Sequence, residues 1–186
     1  MKTIIKGQKI AVFLLFFLGH FAVSSLAQTA DSIPPPYKRY PTLPPFELRG
    51  MDSSLVKRDD MPAHKATILM YFSPDCSHCL EQTEQFKTNI KKLGKYNLVF
   101  ASYQPFEEIR TYYENNKMRK WKNLFIGRDE KYFLPPFYRI SNLPYLALYD
   151  RNGQLIKTYE GTTNLTELLK NFEASPLTLK ENDLTQ

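Results

Sequence analysis

Apolar positions along this chain change period several times, and each change marks an element. Thr67 to Phe72 is almost unbroken apolar sequence ending at Ser73-Pro74-Asp75, as expected of a buried strand. From Ser77 to Leu93 the spacing becomes helical, with Leu80, Thr83, Phe86, Ile90 and Leu93 recurring every three or four positions. Leu98 to Ala101 predicts a second buried strand. Pro105 to Asn115 predicts a helix with proline well placed at its start and Phe106, Ile109, Tyr112 and Tyr113 on its apolar face. Trp121 to Gly127 reads as a third strand, and Tyr132 to Tyr138 as a short helical segment broken by Pro135-Pro136. Tyr145 to Tyr149 and Gln154 to Tyr159 flank Asp150-Arg151-Asn152-Gly153, a strong hairpin turn. Asn164 to Glu167 reads as a capping box that opens a last helix through Phe172. Ahead of all these, Phe46-Glu47-Leu48 and Ser54-Leu55-Val56, split by Gly50-Met51-Asp52, predict a short hairpin. Strands that alternate with helices and finish in a hairpin and a helix specify an α/β fold. Its mixed central sheet is covered by helices on both faces and extended by the N-terminal β-hairpin.

The two ends of the chain follow other rules. Lys2, Lys6 and Lys9 precede the apolar stretch Ile10 to Leu18, and Ser25-Leu26-Ala27 supplies small residues where a signal peptidase reads. Residues 1–27 are therefore expected to be a signal peptide cleaved after Ala27, which directs the chain to export. The apolar stretch is short for a bilayer span of about 20 residues, so a membrane tether arises only if the segment stays uncleaved. Residues 28–45 hold Pro34-Pro35-Pro36, Pro41 and Pro44-Pro45, which favour extended backbone; they are expected to form a stiff linker. The globular domain then covers 46–173, and 174–186 reads as a frayed tail.

Charge narrows the partners. The chain carries a formal +6, but the leader holds three of its lysines and no acid, leaving 22 basic against 19 acidic side chains. The excess is dispersed, as in Lys91-Lys92 and Lys117 to Lys122, and solvated helix faces explain it. No nucleic-acid partner is expected. About 160 residues beyond the leader suit one domain with a sizeable core.

The chemistry rests on two cysteines, Cys76 and Cys79, the only ones in the chain, spaced as Cys76-Ser77-His78-Cys79 where a strand gives way to a helix. Unpaired amides and the positive end of the helix dipole favour a thiolate at the first of them, and the second, one turn on, can close a disulfide. A structural disulfide would close too small a loop to constrain the unfolded chain much. Zinc lacks a second Cys or His pair. Two inert core thiols would rarely form a strand-end C-x-x-C pair. A redox-active dithiol is the reading that remains, and it needs neither a metal nor an organic cofactor. His78 can favour the Cys76 thiolate and make the disulfide more oxidising, whereas Asp75 opposes it unless that carboxylate caps the helix, the arrangement expected.

The segment Tyr71-Phe72-Ser73-Pro74-Asp75-Cys76-Ser77-His78-Cys79 is joined by a Leu143-Pro144 step before a strand, and by Leu148 to Gln154 followed by Gly161. Together these resemble the thioredoxin superfamily. The Pro45 to Leu48 hairpin and the insert carrying Trp121 to Tyr138 resemble its exported, TlpA-like branch of thiol-disulfide oxidoreductases. The resemblance implies a thioredoxin-like fold in a bacterial periplasm, acting on protein thiols and disulfides with a redox partner that the sequence does not identify. It implies that Cys76 is the attacking sulfur and that Cys79 resolves the mixed disulfide. It further implies that Pro144 is a cis-proline facing them and that Leu143 pairs its backbone with substrate. The pattern also departs from the family. Asp75 stands where thioredoxins carry tryptophan, Met70 replaces a buried acid, and Gln82 replaces the glutamate of TlpA-like reductases, while Glu81 and Glu84 read as solvated residues. Two alternatives stay open: a peroxiredoxin-like thiol peroxidase, with Ser73 three residues before Cys76, and a thioredoxin-fold binding module without turnover.

Overall fold

The computed structural model describes residues 33–173, so the expected leader over 1–27 and the tail over 174–186 lie outside the described residues. The chain opens with helix α1 (Pro36–Arg39), followed by strands β1 (Glu47–Gly50) and β2 (Leu55–Lys57). Strand β3 (Thr67–Tyr71) leads to α2 (Ser77–Thr88), α3 (Ile90–Leu93) and β4 (Asn97–Ser102). Then come α4 (Phe106–Asn115), β5 (Leu124–Arg128), α5 (Leu134–Tyr138), the hairpin of β6 (Tyr145–Tyr149) and β7 (Leu155–Glu160), and α6 (Leu165–Glu173). One sheet holds the strands in the order β2-β1-β5-β4-β3-β6-β7. Strands β3, β4 and β5 run parallel, and the flanking pairs are antiparallel.

The continuous apolar runs are explained by burial on both faces. Along β3, Ile68 and Met70 point into one core while Leu69 and Tyr71 point into the other, and Leu98 and Phe100 part from Val99 and Ala101 in the same way on β4. Helices α2, α3, α4 and α6 close the first core through Phe86, Leu93, Ile109 and Leu168. The second is closed by α5, through Leu134 and Tyr138, and by the chain before β1. The expected mixed sheet, with helices on both faces and a hairpin ahead of it, is what forms. Gly127 is where β5 accepts that hairpin: a Cβ there would lie 2.5 Å from the Arg49 carbonyl oxygen, so only glycine fits.

Three expectations differ from the structure. The described part of the proline-rich segment is no extended spacer. It turns through α1 with Pro36 in the first helical turn, where a missing N–H costs nothing. It then lies along the last hairpin: Leu43 N donates to Gly153 O at 2.8 Å, Leu155 N donates to Pro41 O at 2.7 Å, and the Leu43 side chain is buried. The long helix from Ser77 breaks at Asn89, because Thr88 Oγ1 and Asn89 Nδ2 bond back to the carbonyls of Glu84 and Gln85 at 2.9 and 3.0 Å. Pro135-Pro136 do not break α5 but begin it, for the same reason as in α1.

Candidate functional site

Phe72 continues β3 by one more bond, to Ala101 O, and Ser73-Pro74-Asp75 then turns the chain into α2. Cys76 is the residue at the cap of that helix, with extended backbone, and its Sγ accepts the Cys79 N–H at 3.2 Å. Asp75 does not cap the helix as expected. It stands one residue too early, and its carboxylate instead accepts the Ser73 hydroxyl. The sulfur thus occupies the place a serine or aspartate oxygen usually fills at the start of a helix.

The two sulfurs sit in different surroundings. Both are free thiols, Cys76 half-buried and Cys79 fully buried in the first core. Burial pushes the Cys79 thiol far above its ordinary range. Its hydrogen bond with Cys76 and the nearby charges of Cys76 and Asp75 push the same way, against a Ser73 backbone contact. The outer sulfur is accessible and the inner one is held neutral.

Beneath them lie groups whose polar contacts the sequence did not reveal. Tyr112 packs against Phe72, ring centroids 4.6 Å apart, and its hydroxyl donates to Cys79 O at 3.2 Å beside Thr83 Oγ1. Helical spacing marks Tyr112 as apolar; nothing in the spacing says where its polar tip ends. Gln82, the residue in the glutamate position, is fully buried, and its Oε1 accepts the Thr163 N–H at 2.8 Å. Gln85 Oε1 similarly accepts the Leu165 N–H at 3.1 Å, so both amides fasten α2 to the start of α6. Met70 is part of the core, leaving no carboxylate at that position.

His78 lies in the first turn of α2. Its side chain is exposed, and Nδ1 lies 3.8 Å from Glu81 Oε2. Thr162 Oγ1 lies within hydrogen-bond distance of His78 O at 3.3 Å and of Glu81 Oε2 at 3.4 Å, and Glu81 is exposed as expected. The Leu143-Pro144 bond is cis. Because Tyr145 pairs with Tyr71 in the antiparallel β3–β6 ladder, this step and the Cys76 loop emerge at one end of the sheet. Leu143 and Cys76 both pack against the first core, and Pro144 O accepts the Gly161 N–H at 2.9 Å.

A dithiol at a helix start, beside a cis-proline step on a mixed sheet, defines a thioredoxin-like α/β protein. The profile of the thioredoxin-like domain family matches residues 61–175, more than half of the chain, and the chain belongs to that family. Comparison with curated proteins gives no match. Among solved structures, it is similar to the pneumococcal exposed lipoprotein thioredoxin Etrx1 of Streptococcus pneumoniae. Identity is 24%, with 71% of this chain and 100% of that one covered and a TM-score of 0.58. StoA of Bacillus subtilis is 19% identical over 70% of this chain and 98% of that one, with a TM-score of 0.56. A secreted Mycobacterium tuberculosis disulfide oxidoreductase, homologous to the DsbE of E. coli, is 12% identical. That match covers 70% of this chain and 96% of the other, with a TM-score of 0.58. At these identities the likeness is one of fold.

Proposed function

We propose that this protein is an exported, TlpA-like thiol-disulfide oxidoreductase that exchanges the Cys76–Cys79 pair with protein substrates. The observation that carries the reading is the asymmetry of the sulfurs: Cys76 accessible on the cap of α2, Cys79 buried and held as a thiol. As a reductant, Cys76 attacks one sulfur of a client disulfide, and the other client sulfur leaves with the bonding pair and takes up a proton. Cys79 then gives up its proton and attacks Cys76, releasing the second client thiol and leaving the Cys76–Cys79 disulfide. The client gains two electrons and the protein loses two. A partner dithiol must reduce the protein again, or the sequence runs in reverse with a partner that oxidises it.

In this reading Leu143 and Pro144 receive the client backbone as an added strand. His78, paired with Glu81, tunes the charge near Cys76 across the exposed turn. Export follows from the leader over 1–27, cleaved after Ala27, with the periplasm as the destination. Export is also supported by the kinship in fold with an exposed lipoprotein thioredoxin and a secreted oxidoreductase.

Trapping tests the reading. Cys79→Ser should accumulate mixed disulfides through Cys76, Cys76→Ser should accumulate few, and insulin reduction should disappear in both. Equal trapping by the two variants would overturn the assigned order of attack. Consumption of peroxide without any exchange of disulfides would replace the oxidoreductase by a peroxidase.

A further inference from the structure

Next to the dithiol, the loop before α2, Leu80 and the length of α4 from Glu107 to Asn116 line an open groove of about 470 Å³. Its apolar part includes Pro74 and Leu80, and Leu80, directly after Cys79 in the chain, is 43% exposed. Its rim carries the exposed carboxylates of Asp75, Glu107 and Glu108, and its lining holds no lysine or arginine. This is a local inversion of sign in a chain whose formal charge is +6. Glu107 shares its charge with Arg110 at 3.4 Å, and that guanidinium is itself stacked over the Phe106 ring. Carboxylates in the first turn of α4 suit the helix dipole. The dipole accounts for neither Asp75, on a different element, nor a leucine left facing water between them.

We propose that this groove receives a client segment in which a lysine or arginine and an apolar residue flank the cysteine being exchanged. The inference rests on the redox reading above and adds which clients the site prefers. The client's apolar side chain covers Leu80 and Pro74, its cation lies among the three carboxylates, and its sulfur is thereby delivered to Cys76, the neighbour of Asp75. Opposite charge also speeds encounter, so the preference resides largely in the rate of association and weakens with salt.

The test uses the pre-reduced protein and two peptides, alike except for Lys-Leu or Glu-Leu beside a single cysteine joined to thionitrobenzoate. Cys76 attacks the peptide sulfur and thionitrobenzoate leaves with the bonding pair, giving an optical signal. Cys79 then releases the peptide thiol and the protein becomes the disulfide. At low salt the cationic peptide should react roughly fivefold faster, falling below about twofold in Glu107→Gln/Glu108→Gln or in high salt. Uncharged hydroxyethyl disulfide should react equally with both proteins, and matched thermal melts should show that the variant is folded. No preference in the unsubstituted protein, or the same preference in the variant, overturns the groove while leaving the redox reading in place. Failure of the unsubstituted protein to react with hydroxyethyl disulfide at all would remove the redox reading, and the groove with it.

Discussion

The two faces of the sheet are built from one set of strands but filled with different chemistry. On the dithiol face, phenylalanine and aliphatic side chains, with Tyr96, Tyr112 and Trp121 among them, meet Cys79 under four helices. The opposite face is rich in tyrosine: Tyr71, Tyr138, Tyr145 and Tyr149 are buried there beneath one short helix and the proline-rich segment. Tyr138 and Tyr149 join hydroxyls at 2.5 Å, whereas the Tyr71 hydroxyl is buried without a hydrogen-bond partner. Only the first face surrounds a thiol with hydrocarbon, which is what keeps Cys79 neutral. The second provides bulk and a closing surface. The difference assigns the chemistry to one face and the closure of the fold to the other.

Truncation should separate them most strongly. Phe86→Ala, in the middle of the dithiol face and 5.9 Å from the Phe100 ring, is expected to cost about 3–5 kcal/mol in urea unfolding. Leu43→Ala, at the rim of the other face, should cost about 1–2 kcal/mol, since the site is close to solvent. Similar losses would mean that the proline-rich segment is as much a part of the core as α2.

A pH series isolates the buried thiol next. An isolated cysteine thiol titrates near 9.0, and Cys79 in the folded, reduced protein titrates higher. The folded state therefore holds this proton more tightly. Its contribution is complete below pH 9 and is lost as pH rises toward the folded value, by at most about 1.4 kcal/mol per pH unit. The tyrosines behave alike but from an ordinary value of 10.0, also raised by burial. Stability of the reduced protein should begin to fall near pH 9, and in Cys79→Ala only near pH 10. An identical onset in the two proteins would deny that burial protects the thiol.

The smallest effect concerns a single hydroxyl. Tyr112→Phe removes the bond to Cys79 O and the contact with Thr83, and should cost about 1 kcal/mol while changing disulfide exchange less than about twofold. A larger change in exchange would make Tyr112 part of the chemistry rather than of the support beneath it.

Much of this was legible in the chain. The apolar run of β3, the Asn152-Gly153 turn and the cysteine pair each depend on local spacing, and each formed where expected. The remaining features depend on distance and direction. Asp75 and Cys76 compete for one cap, and the loser is decided by a single residue of offset that spacing does not resolve. Prolines before β1 suggest an extended tether, yet two backbone bonds to the last hairpin and the burial of Leu43 tie them down. Gln82 and Tyr112 are polar residues on helices, and only tertiary packing shows that their polar atoms end in the core. His78 is expected to favour the Cys76 thiolate, and spacing alone does not show that Glu81, one turn along the same helix, stands 3.8 Å from its ring.

The contact between Thr42 and Gln154 has a consequence for the outer border of the sheet. An outermost strand normally offers a row of free amides on which a stranger can crystallise. Here the start of that border, from Gly153 to Leu155, is covered by a stretch containing Pro41, Pro44 and Pro45, which have no amide hydrogen to give. At the other border β2 is only three residues long. Both margins of the sheet are thus shortened as templates for a further strand.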